Sequence, residues 1–120
     1  MLRCVRTFLS ILTVVAVLDA QIAGAQDVSG MALFNECSSS DVFMQYGCAN
    51  YIFGVMDGFA AAVPKGYSIP YCSKQAFFSN RQLAMIYTNW ARSHPGELGR
   101  DRTMSVVMAL MDAFPCPPLR

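Results

Sequence analysis

The stretch after residue 25 of this 120-residue chain holds four cysteines, Cys37, Cys48, Cys72 and Cys116. An even set in so short an exported stretch reads as a disulfide framework, because a core of this size is marginal without staples. The N-terminus supplies the export signal. Arg3 and Arg6 precede an apolar run from Phe8 to Leu18, and Ala23-Gly24-Ala25 follows as a small-x-small cleavage pattern. Residues 1–25 are therefore expected to be a secretory signal peptide, cut between Ala25 and Gln26, and residues 26–120 a single helical domain. A membrane anchor needs about 20 consecutive apolar residues, and Asp19 interrupts the run too early. Cys4 precedes the apolar run and is lost with it, so no membrane attachment is expected after cleavage.

Four helices and no convincing strands follow from the apolar periodicity. The first is short, Val28 to about Cys37, with Ser29 as a cap and Met31, Leu33 and Phe34 as its apolar members. The second and longest runs from about Val42 to Val63 behind Asp41 as N-cap. Its Met44, Cys48, Tyr51, Ile52, Val55, Phe59 and Ala62 recur at spacings of three and four, and Pro64-Lys65-Gly66 stops it. The third starts at a capping box, Ser79-Asn80-Arg81-Gln82, and carries Leu83, Ile86, Tyr87 and Trp90 on one side. His94-Pro95-Gly96 ends it, since the residue before a proline is pushed out of helical geometry. The fourth runs from about Arg102 to Phe114, with Val107, Leu110, Met111 and Phe114 as its stripe. The expected fold is all-α: a small, disulfide-stapled bundle of about four helices.

Four cysteines allow three connectivities. Consecutive helices with modest connections pack antiparallel, which puts Cys37 and Cys48 near one end of the bundle and Cys72 and Cys116 at the other. The expected bridges are Cys37–Cys48 and Cys72–Cys116, worth about 3 and roughly 4 kcal/mol in the chain-entropy model.

Charge and motif content exclude several functions. Nine basic and eight acidic side chains give a net charge of +1. Loss of Arg3, Arg6 and Asp19 leaves a neutral chain, unlike the basic surface of a nucleic-acid binder. Every cysteine after the leader has an expected disulfide partner, and the single histidine, His94, sits in a connection, so a Cys–His dyad is not expected. The cysteines lie ten or more residues apart, which does not suit a tetrahedral zinc site. No haem, phosphate-loop or nucleophile-elbow motif is present. Asp57, Asp101 and Asp112 are too scattered to assert a catalytic pair. No enzyme activity, cofactor or metal is expected. The second helix carries Gly47, Gly54 and Gly58, each costing about 1 kcal/mol relative to Ala. Gly54 and Gly58, four apart, would form a smooth groove for close helix–helix contact, within the chain or across a dimer.

The ordered set of these features resembles the Rap/Tai family of type VI secretion immunity proteins. The resemblance rests on Cys48-Ala49-Asn50-Tyr51-Ile52-Phe53-Gly54-Val55-Met56-Asp57, Tyr71-Cys72, Gln82-Leu83, His94-Pro95 and the ending Ala109-Leu110-Met111-Asp112-Ala113-Phe114-Pro115-Cys116. One departure is that Pro70 precedes Cys72, with Ser73-Lys74 following, where the family often has a proline shortly after its third cysteine. The resemblance implies a periplasmic, non-enzymatic protein that binds a secreted peptidoglycan amidase effector and blocks its active-site groove, often as a homodimer. The Ser93–Asp101 connection is the expected insertion element, offering His94, Glu97, Arg100 and Asp101. The alternative is a periplasmic chaperone or accessory binding module of the same fold with no toxin partner. A neutral chain with one histidine has no obvious acid switch, which weakens the acid-activated chaperone.

Overall fold

A computed structural model describes residues 27–64, 68–73 and 77–118. The leader at 1–25, Lys65-Gly66 of the stop signal and Lys74 lie outside the described residues. Four helices follow in order: α1 (Gly30–Ser38), α2 (Val42–Ala62), α3 (Asn80–Ser93) and α4 (Arg102–Ala113). A single 3-10 turn, Pro95–Glu97, sits between α3 and α4.

Side-chain caps set three of the boundaries close to the expected positions. The Ser29 hydroxyl accepts from the Ala32 amide, so α1 begins one residue after the cap and two residues later than its periodicity suggests. Asp41 accepts from the Phe43 amide at the start of α2. The Ser79 hydroxyl accepts from the Gln82 amide while Gln82 Oε1 accepts from the Ser79 amide, a complete capping box. Each such cap is worth about 1 kcal/mol, because it satisfies amides that the helix leaves unpaired. A fourth cap, Asp101 on the Thr103 and Met104 amides, opens α4.

The core lies where all four helices meet. Leu33 of α1, Ile52 of α2, Leu83 and Tyr87 of α3, and Val106 and Leu110 of α4 are its largest fully buried side chains, and Trp90 of α3 packs with them at 4% exposure. Burying each aliphatic side chain contributes about 1.5–3 kcal/mol. The two bridges sit at opposite ends, as topology requires. Cys37 and Cys48, with Cα atoms 5.1 Å apart, clip the end of α1 to α2. Cys72 and Cys116, 4.8 Å apart, tie the segment after α2 to the tail after α4.

Three stripes differ from the periodicity. In α2 the buried residues are Cys48, Ala49 and Ile52, whereas Met44 and Ala62 are exposed and Tyr51, Val55 and Phe59 half-buried. In α1 Met31 is exposed, and in α4 Met111 is exposed while Ser105, Val106 and Ala109 are buried. The reason in α2 is that the helix is apolar nearly all round, so spacing alone cannot say which side meets the bundle. Within the described residues, no helix is long and apolar enough to cross a membrane.

Candidate partner-binding site

The connection from Ser93 to Asp101 is built onto the start of α1. Gly30 N donates to Arg100 O, Met31 N to Leu98 O, and Arg102 N to Val28 O, each at 2.8 Å. Ser29 and Asp101 form an isolated antiparallel bridge. Leu98 is buried beneath the loop at 3% exposure. These bonds cross about 70 residues of sequence, and no local signal announces them. They turn the connection into a fixed protrusion whose crest is Pro95, Gly96, Gly99 and Arg100, all exposed.

The four expected contact residues divide into two kinds. His94 and Asp101 hold the two ends of the loop. The His94 ring stacks on Trp90 at 5.1 Å, and its Nδ1 lies 2.9 Å from Trp90 O. A carbonyl can only accept, so that nitrogen carries the proton. The Asp101 side chain caps α4, and its carbonyl accepts from the amide and hydroxyl of Ser105. Arg100 instead stands on the crest and pairs with the half-buried Glu97, Arg100 Nε on Glu97 Oε2. A solvent-facing pair of this kind adds little stability, so little is lost if either charge turns to an outside partner.

A second open feature adjoins the loop. Tyr51, Gly54, Val55, Gly58 and Phe59 of α2, with Thr103 of α4, line an almost wholly apolar groove of about 580 Å³. Among the described residues, nothing comes within 4 Å of a Cβ built on Gly54 or Gly58. Of the two places where these glycines were expected to make a close helix contact, within the chain or across a dimer, the described residues supply no neighbour for the first: both face outward. At the mouth of the groove, Tyr51 Oη and Thr103 Oγ1 are 2.7 Å apart. The Arg102 guanidinium lies 4.8 Å above the Tyr51 ring and donates to Glu36 Oε1 at 2.8 Å. Sequence reasoning missed this cluster, because Glu36 and Arg102 are 66 residues apart.

Two tyrosines are electrostatically perturbed. Burial pushes Tyr87 up to about 12, and its hydroxyl donates to Gly30 O at 2.9 Å. Tyr71 is raised by burial and, to a smaller extent, by the negative charge of Asp57. Among the described residues, no three His, Cys, Asp or Glu side chains gather into a metal-binding group.

A stapled bundle with a pinned, charged loop beside an apolar groove is built as a protein-binding domain: it presents fixed shape. The profile of the Rap1a immunity proteins matches residues 29–116, from the cap of α1 to the last cysteine, and the chain belongs to that family. It is a type VI secretion immunity protein, non-enzymatic, and its family function is to neutralise an effector. The disulfides and the family together favour a location outside the cytoplasm. No curated protein and no solved structure gives a significant match.

Proposed function

We propose that the chain is exported to the periplasm, loses residues 1–25, and there occludes a type VI secreted peptidoglycan amidase with its Ser93–Asp101 loop. The observation that carries this reading is the pinning of the loop by three backbone bonds and buried Leu98. A preorganised loop loses little conformational freedom on entering a cleft, so more of the contact energy appears as affinity. Glu97 and Arg100 supply the steering and register charges, while His94 and Asp101 act by holding the loop ends. Occlusion requires no reaction by the inhibitor, in keeping with a protein that works by shape.

The outward-facing groove at Gly54 and Gly58 supports a second element of the same reading, pairing of two copies. Three exposed helix glycines carry a propensity cost that nothing within the described fold offsets, and a partner helix would offset it by close approach.

The test is an amidase assay on peptidoglycan with each cell-wall amidase effector of the same genome, with and without the protein. Stoichiometric inhibition is expected, weakened about tenfold or more by Glu97→Ala with Arg100→Ala. Failure to bind or inhibit any of them would sink the reading and favour the chaperone or accessory module. Intact mass of the periplasmic protein tests cleavage before Gln26, and light scattering reads the number of copies.

A further inference from the structure

The two disulfides differ in one property that governs their chemistry. Cys37 is 5% exposed and Cys48 fully buried, and both belong to the core cluster. Cys72 and Cys116 are both exposed. Thiol–disulfide exchange requires a thiolate to approach one sulfur of the bond, so access decides which bridge reacts. The structure assigns Cys72–Cys116 as a site of thiol–disulfide exchange, with a small or protein dithiol as the reactant, and leaves Cys37–Cys48 as a permanent staple. This inference goes beyond effector binding and does not depend on it.

The step balances simply. One thiolate of the dithiol attacks a sulfur of the pair, the Cys72–Cys116 bond breaks, and the departing sulfur takes a proton. The second thiol of the reactant then attacks the mixed disulfide, frees the remaining cysteine and closes the reactant's own disulfide. Two electrons and two protons pass from dithiol to protein.

The surroundings limit what that step releases. Cys72 N donates to Phe114 O at 2.8 Å, and the Phe78 and Phe114 rings lie 5.4 Å apart, so the root of the tail stays held. Beyond it, Pro115, Pro117 and Pro118 have no amide proton to offer, and the bridge ties the tail to the segment after α2. Opening it frees the tail and loosens the segment carrying Tyr71 from the second half of α2, where Met56, Asp57 and Ala60 adjoin it. The other end, with Cys37–Cys48, Trp90 and the pinned loop, keeps its own bonds. The reactive bridge is thereby separated from the candidate binding loop.

The test is timed reduction of the oxidised protein by dithiothreitol, with alkylation of freed thiols, peptide mapping and Trp90 fluorescence read together. Cys72 and Cys116 are expected to be labelled at least about 30-fold faster than Cys37 and Cys48, since the buried pair reacts only after local opening. Trp90 emission should stay native through that first phase. Equal labelling rates, earlier labelling of Cys37 and Cys48, or loss of native Trp90 emission in the first phase would overturn the assignment. A Cys72→Ser, Cys116→Ser double variant supplies an independent arm. It should keep native Trp90 emission and lack the fast labelling phase, and a fast phase surviving in it would count against the assignment.

Discussion

A methyl group would meet opposite fates at Gly30 and at Gly54. Gly30, at the start of α1, is caged: a Cβ there would overlap Ser105 Oγ and lie 3.1 Å from both Ser105 Cβ and Tyr87 Oη. Gly54, midway along α2, has nothing within 4 Å. Both residues are helical, Gly30 as the first residue of α1 and Gly54 in the interior of α2, and both carry a backbone cost, the larger at Gly54. At Gly30 the fold explains the cost, because the absent side chain lets α1 settle against α4 and lets Tyr87 reach a main-chain carbonyl. At Gly54 the described fold offers no compensation. The caged region is where the chain finishes its own packing; the open face of α2 is where packing is left to something else.

The sharpest way to break this contrast lies within α2, on the side turned away from Gly54. Ile52 is 1% exposed, and Ile52→Ala removes buried methyl groups and leaves a cavity. A loss of about 2–5 kcal/mol is expected, read from urea or thermal unfolding. A loss below about 1 kcal/mol would mean that the buried side of α2 is as loosely held as its open side.

The caged region also carries a pH signature. Tyr87 ionises near its ordinary value of about 10 in the unfolded chain but only at about 12 when folded, because burial disfavours the phenolate. Between those values the unfolded state has lost the proton and the folded state has kept it, so unfolding becomes more favourable as pH rises. About 2–3 kcal/mol of stability should disappear from pH 10 to 12. Denaturant unfolding across that range checks it. The Tyr87→Phe variant should lack this part of the slope, since phenylalanine has no proton to lose.

Gly30→Ala tests the cage directly. The added methyl forces Ser105 or Tyr87 to move, and both are buried and hydrogen-bonded. An overpacking loss of about 1–3 kcal/mol is expected in the same unfolding measurement. An unchanged midpoint would show that α1 can shift without cost, and the contrast with Gly54 would weaken.

What could be read from the chain follows the same division. Caps at Ser29, Asp41 and Ser79 were legible because a capping residue acts on amides two or three positions away. The bridges Cys37–Cys48 and Cys72–Cys116 were legible because antiparallel succession of short helices decides which ends meet. The buried side of α2 was not, since apolar residues surround that helix and only its neighbours choose among them. Nor was the rigidity of the Ser93–Asp101 loop, which rests on amides of Gly30 and Met31 far earlier in the chain. His94 and Asp101 were marked by residue type as contact groups, yet stacking on Trp90 and capping of α4 occupy them in the structure.

The smallest expected effect bears most directly on what the open face is for. Gly54→Ala and Gly58→Ala place methyl groups where the described fold leaves space, so each should stabilise the isolated chain by about 0.5–1 kcal/mol through helix propensity alone. The same methyls would stand in the groove beside Tyr51 and Thr103 and obstruct any helix that approaches closely. Stability and association should therefore move in opposite directions: a higher unfolding midpoint at low concentration, with weaker self-association or effector binding. If both rise together, the groove is idle surface and its glycines serve no contact. If stability falls instead, a close neighbour occupies that space in the folded protein, and the difference between Gly30 and Gly54 disappears.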